Sequence, residues 1–117
     1  MAQKVASRFL LFAMSNLRST ETGVTDTVIW VSTGEFEGKN IQHGPRIKVV
    51  LGNKITKEGL TDSVTVTIAD PPVVIGKLPG AIHKQVLAFV ISNKDVLLQH
   101  WNGDLSTREM LNQLQKV

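Results

Sequence analysis

The chain has no cysteine and no tyrosine. Without thiols it can form neither disulfides nor thiolate metal sites, and cysteine nucleophile chemistry is excluded. A thiol-free chain also fits a cytoplasmic setting, which is the expectation here. Aromatic residues are scarce, four Phe and two Trp. The interleaved aromatics on which single-stranded nucleic-acid binders stack bases are therefore missing. The N-terminal apolar run, residues 9–14, is six residues long, far short of the roughly 20 that span a bilayer. Lys4 and Arg8 precede it, yet Ser15, Asn16 and Arg18 follow directly and no small-x-small cleavage pattern appears. No membrane association is expected.

Catalytic signatures are absent too. There is no Gly-x-Ser-x-Gly elbow, no phosphate loop ending in Gly-Lys-Ser/Thr, and no His-Glu-x-x-His pair. His43, His83 and His100 are not spaced as a local ligand pair would be. Glu35 and Glu37 alternate with Phe36 between glycines, the pattern of a solvated hairpin tip with no second carboxylate pair opposite. The sequence thus assigns no catalytic residue, no metal ligand and no cofactor.

What remains has the composition of a folded domain. The chain has 117 residues, 42% hydrophobic and 20% charged, with a net charge of +3, the usual size and mix for one domain with a core of its own. Lys4, Arg8 and Arg18 give residues 1–18 a charge of +3 with no acid, so the excess is N-terminal.

Periodicity divides the chain into an N-terminal helix and linker (1–22), a sheet (27–76) and a helical part (80–117). Val5, Phe9, Phe12 or Ala13, and Leu17 recur at three- or four-residue steps, which predicts a helix over 5–17. Residues 19–26 are polar, contain Gly23, and read as a linker. The β-branched run 27–31 reads as a largely buried strand. Residues 46–51 alternate, with Ile47, Val49 and Leu51 on one face and Arg46, Lys48 and Val50 on the other. Val64, Val66 and Ile68 alternate with Ser63, Thr65 and Thr67, and Asp70-Pro71-Pro72 stops that strand. Residues 73–75 read as a short further strand.

After Leu78-Pro79-Gly80 the period becomes helical, with Ile82, Val86, Phe89 and Val90 on one stripe. Ser92 or Asn93 is positioned to cap a new turn carrying Leu97 and Trp101, which Asn102-Gly103 ends. Ser106 and Glu109 form a capping box ahead of Met110, Leu111, Leu114 and Val117. The fold class is α+β: an N-terminal helix, a three- to four-stranded mainly antiparallel sheet, and C-terminal helices packed on one face.

Two surfaces are candidates for function. Arg46 and Lys48 share a strand face, with His43 ahead and Lys54 and Lys57 behind; together these suit a phosphate- or carboxylate-bearing ligand or nucleic acid. They suit still better a solvated sheet face kept soluble by cations. Phe9, Leu10, Phe12 and Leu17 on the N-terminal helix form an apolar stripe suited to docking a protein partner or a second copy.

The run His43-Gly44-Pro45-Arg46-Ile47-Lys48-Val49, followed by Asn93-Lys94-Asp95-Val96-Leu97-Leu98 and Trp101-Asn102-Gly103, resembles a family of short bacterial and phage proteins of unknown function. In that family a His/Pro-containing strand entry precedes a sheet, and a helix ends in a Leu-Leu-x-x-Trp-like element. The resemblance covers residues 27–117. Related proteins are richer in histidine at the first motif, where this chain has Arg46 and Lys48 and keeps only His43. Some relatives neighbour toxin–antitoxin or mobile-element genes, which implies an accessory or interaction role. The sequence therefore points to a small non-enzymatic, self-associating binding protein of bacterial or phage origin. A nucleic-acid-binding accessory protein is the first alternative, and a hydrolase or nuclease using His43 or His100 is the second.

Overall fold

The computed structural model describes residues 14–33, 44–53, 55 and 62–117. Five strands, β1 (Ser15–Arg18), β2 (Thr27–Val31), β3 (Arg46–Leu51), β4 (Val64–Thr67) and β5 (Val74–Ile75), pair antiparallel in chain order. A single helical turn, α1 (Ser19–Thr22), links the first two strands. A long helix, α2 (Gly80–Trp101), and a short one, α3 (Thr107–Gln113), follow the sheet.

Register explains the core. Leu17 lies opposite Ile29, Ile29 opposite Val49, Ile47 opposite Val66, and Val66 opposite Val74. Because side chains alternate across a strand, all of these fall on one face. Val86, Phe89, Val90 and Leu97 of α2, with Met110 of α3, close over that face and bury it. The α2 residues recur at three- and four-residue steps, so one helical stripe meets one sheet face. Each large side chain buried this way contributes about 1.5–3 kcal/mol.

The α+β class holds, but the N-terminal helix and the strand count do not hold in detail. Ser15 to Leu17, read as the end of a helix, belong to a strand, Ser15–Arg18. Its four residues pair in register with residues 28–31, and alternation sends Leu17 into the core while Arg18 stays exposed. Cross-strand pairing here overrides an apolar spacing that also fits a helix. The rest of the predicted helix, including Phe9, Leu10 and Phe12, lies outside the described residues. Nor is 19–26 merely a linker: it holds α1, and Thr22 and Val24 are buried. The sheet has five strands because both β1 and the two-residue β5 join it. Val50, assigned to the polar face of β3, is buried with Val28 and Trp30 in a second apolar cluster, against which Met14 and Ile55 pack.

The new turn expected at Ser92 or Asn93 is instead a kink within α2, where Asn93 leaves helical geometry at φ −117°, ψ 15°. The capping box of α3 forms as the sequence suggested. Glu109 N–H donates to Ser106 Oγ at 3.1 Å, and Ser106 N–H donates to Glu109 Oε1 at 3.0 Å. Beyond α3 the chain turns extended at Leu114 and runs back to α1, where Val117 N–H donates to Thr22 O at 3.0 Å. Gly23 allows this approach: it has φ +81°, and a Cβ there would collide with the Val117 carbonyl.

Candidate functional site

The start of β3 lies against the end of α2. Gly44 adopts φ +66°, a turn geometry that costs glycine little, and Pro45 then directs the chain into the strand. The Pro45 carbonyl accepts from Ile68 N–H at 2.9 Å, which pins the entry to the end of β4. From this fixed point the Arg46 guanidinium lies over the Trp101 ring, 5.7 Å from its centroid, and Nη1 donates to Gly44 O at 3.1 Å. Arginine over tryptophan within about 6 Å is a cation–π contact worth about 0.5–2 kcal/mol, the larger figure when water is excluded. Trp101 itself is buried.

Lys48 has a different aromatic neighbour. Its register partners are Trp30 on β2 and Thr65 on β4, so its stem lies in a row with a buried indole. Arg46 and Lys48 are both half-buried, and two residues of strand separate their Cα atoms by roughly 6.6 Å. His43, Lys54 and Lys57, the other members of the predicted cationic surface, lie outside the described residues. Leu17, assigned to a partner-docking stripe, is fully buried in the chain's own core.

Directly beside Trp101, His100 is 2% exposed. Its Nε2 shares a hydrogen bond with Thr107 Oγ1 at 3.2 Å, and the same hydroxyl shares one with Ser15 Oγ at 3.1 Å. This junction ties the last turn of α2 to the first residue of α3 and the first residue of β1. Burial removes hydration from the imidazolium and pushes the His100 pKa below its usual value. His83 and His100 both lie on α2, 17 residues apart, which is roughly 25 Å along a helix. They cannot share a ligand. Among the described residues no group of three or more His, Asp or Glu side chains comes close enough to hold a metal ion.

A shallow, open hollow of about 420 Å³ lies at the α2 kink, lined by Asp70, Ile91, Ser92, Lys94, Asp95 and Val96. It carries both signs of charge and no enclosed polar group. No helix among the described residues is long and apolar enough to cross a membrane.

Comparison with protein-family models, curated proteins and solved structures gave no match. The sequence singled out Arg46, Lys48 and the Trp101 motif separately but missed their arrangement. The Ser15–Thr107–His100 junction left no local signal, since its members are 92 and 7 residues apart. Only His100 beside Trp101 drew attention.

Proposed function

We propose that the protein is a small non-enzymatic binding module that engages an anionic partner through Arg46 and Lys48 at the entry to β3. One observation carries this reading: the Arg46 guanidinium is held over Trp101 and tethered to Gly44 O. A cation already held in place gives up less rotamer freedom on binding than a freely moving surface side chain. The guanidinium fork also matches phosphate and carboxylate oxygens. Lys48 adds a second charge on the same strand. A nucleic-acid backbone is the partner class to test first. The test is fluorescence anisotropy of a labelled oligonucleotide at low ionic strength. The reading expects binding that weakens steeply with salt and is lost in Arg46→Ala/Lys48→Ala. Equal binding by that double variant would exclude these residues.

Self-association is supported by a different observation. Val73 and Ile75 on the edge strand side of the sheet are 53% and 39% exposed, and exposed apolar side chains on an edge strand invite pairing. Pro71 and Pro72 just before them limit how far a partner strand could extend. Light scattering of the wild type and of Val73→Lys tests this: a dimer that dissociates in the variant supports it, and a wild-type monomer at high concentration refutes it. The hydrolase reading gains nothing from His100, whose buried Nε2 is engaged by Thr107, and His43 lies outside the described residues.

A further inference from the structure

We propose that residues 106–117 form a latch on the fold, that Asn93 is its lock, and that closure keeps the Trp101–Arg46 site in shape. The last part rests on the anion-binding reading above. Asn93 is 1% exposed and sits at the kink of α2. Its Oδ1 accepts from Gln115 N–H at 2.7 Å, while its Nδ2 donates to Gln115 O and to Phe89 O, each at 2.9 Å. The carboxamide therefore pairs with the Gln115 backbone as a neighbouring strand would, and it addresses no side chain there. Gln115 and Lys116 are exposed. The buried amide links the latch to the kink: if residue 115 leaves, two of these three hydrogen bonds go with it.

Among the described residues the segment has few other attachments: at its far end Val117 N–H donates to Thr22 O at 3.0 Å. Met110 is the one fully buried residue of α3, with Leu111 and Leu114 partly buried against the core. At the near end Thr107 bonds His100 and Ser15. A segment held by so few buried side chains belongs to the part of a fold that opens before global unfolding. Thr107 engages His100 in the last turn of α2, which ends at Trp101, the ring beneath Arg46. Opening the latch releases that turn, so the state of the lock reaches the cation through Thr107, His100 and Trp101. Asn93 acts here as a positioning residue.

The test is residue-resolved amide hydrogen exchange combined with oligonucleotide anisotropy on the full chain. The lock is cut from both sides, by Asn93→Ala and by Gln115→Pro. The second variant removes the Gln115 N–H at an exposed position, and Leu114 already holds φ −66°, ψ 139°, the geometry favoured before proline. Val86→Ala, a buried site near the other end of α2, is the control for general weakening. The expected result is that both lock variants lose protection at the Met110 and Leu114 amides while β2 and β3 keep theirs, whereas the control loses protection throughout. Oligonucleotide affinity should fall about five-fold or more in both lock variants. Unchanged α3 protection relative to the sheet overturns the latch. Selective opening with unchanged affinity overturns its link to the site. A wild type that binds no oligonucleotide overturns the anion-binding reading and the regulatory role with it, and the exchange data then report on the latch alone.

Discussion

Replacing Asn93 with aspartate changes one NH₂ group to an oxygen and little else. The Asn93 Nδ2 donates to two carbonyls, Phe89 O and Gln115 O, and the Oδ1 accepts from Gln115 N–H. In Asn93→Asp the accepting bond survives, but both donated bonds become contacts between oxygens. Two lost hydrogen bonds cost about 2 kcal/mol together. A carboxylate left without a countercharge at a site 1% exposed brings the total to about 3–5 kcal/mol at neutral pH. For a chain of this size that is a fall in Tm of roughly 10 °C or more. The cost must also depend on pH. Burial and the two facing carbonyls raise the folded-state pKa of the introduced carboxyl above its unfolded value, so its penalty is full above the folded pKa and shrinks as pH falls toward the unfolded one. At low pH the acid can donate to one of the two carbonyls again, leaving a difference of about 1–2 kcal/mol. Urea unfolding of wild type and variant, compared at each pH, measures this difference directly. A variant as stable as wild type at pH 7, or a difference that stays flat with pH, would refute the assigned amide orientation and the role of Asn93.

Three further outcomes are expected. Because burial lowers the His100 pKa, the folded state favours the neutral ring; its contribution is complete above about pH 6.5 and is lost as pH falls toward the folded value. Thermal melts of the wild type should therefore fall between pH 7.5 and 5.5, and a His100→Gln variant should show a shallower fall; parallel curves would remove His100 as the cause. Ser106→Ala breaks the capping box and should cost about 1 kcal/mol in chemical denaturation, whereas Arg108→Ala, exposed on the same turn, should cost much less. Met110→Ala empties the buried anchor of α3 and should cost about 2–5 kcal/mol; a cost below 1 kcal/mol would mean α3 does not pack as described.

The sequence was most informative where local chemistry and tertiary environment agree. Val64 and Val66 alternate with threonines and β4 forms there; Ser106 and Glu109 are spaced for a capping box and make one. The stripe Val86, Phe89, Val90 needed only helical geometry to face the sheet. β1 was misread because Ser15-Asn16-Leu17-Arg18 contains no β-branched residue, and its strand character comes from pairing with β2. The kink was visible only as a possible cap: Asn93 does make side-chain bonds to backbone, but one of its partners, Gln115, is 22 residues away. The site was legible in pieces. Arg46 and Trp101 each stood in a noticeable motif, yet their contact depends on where α2 ends relative to β3. Trp30 opposite Lys48 depends on strand register, which alternation alone does not number.

Arg46, held over Trp101, is proposed as the contact for an anionic partner. Its most direct test is the salt dependence of oligonucleotide binding by the wild type and by Arg46→Ala, with melting temperatures of both recorded. The wild type should bind measurably at low ionic strength, and the variant should bind more weakly with a slope of log affinity against log salt smaller by about 1. The variant's melting temperature should fall by what the guanidinium's own contacts contribute, the Trp101 cation–π contact and the hydrogen bond to Gly44 O among them. Identical affinity and slope in the two proteins, or no wild-type binding at low salt, would contradict it.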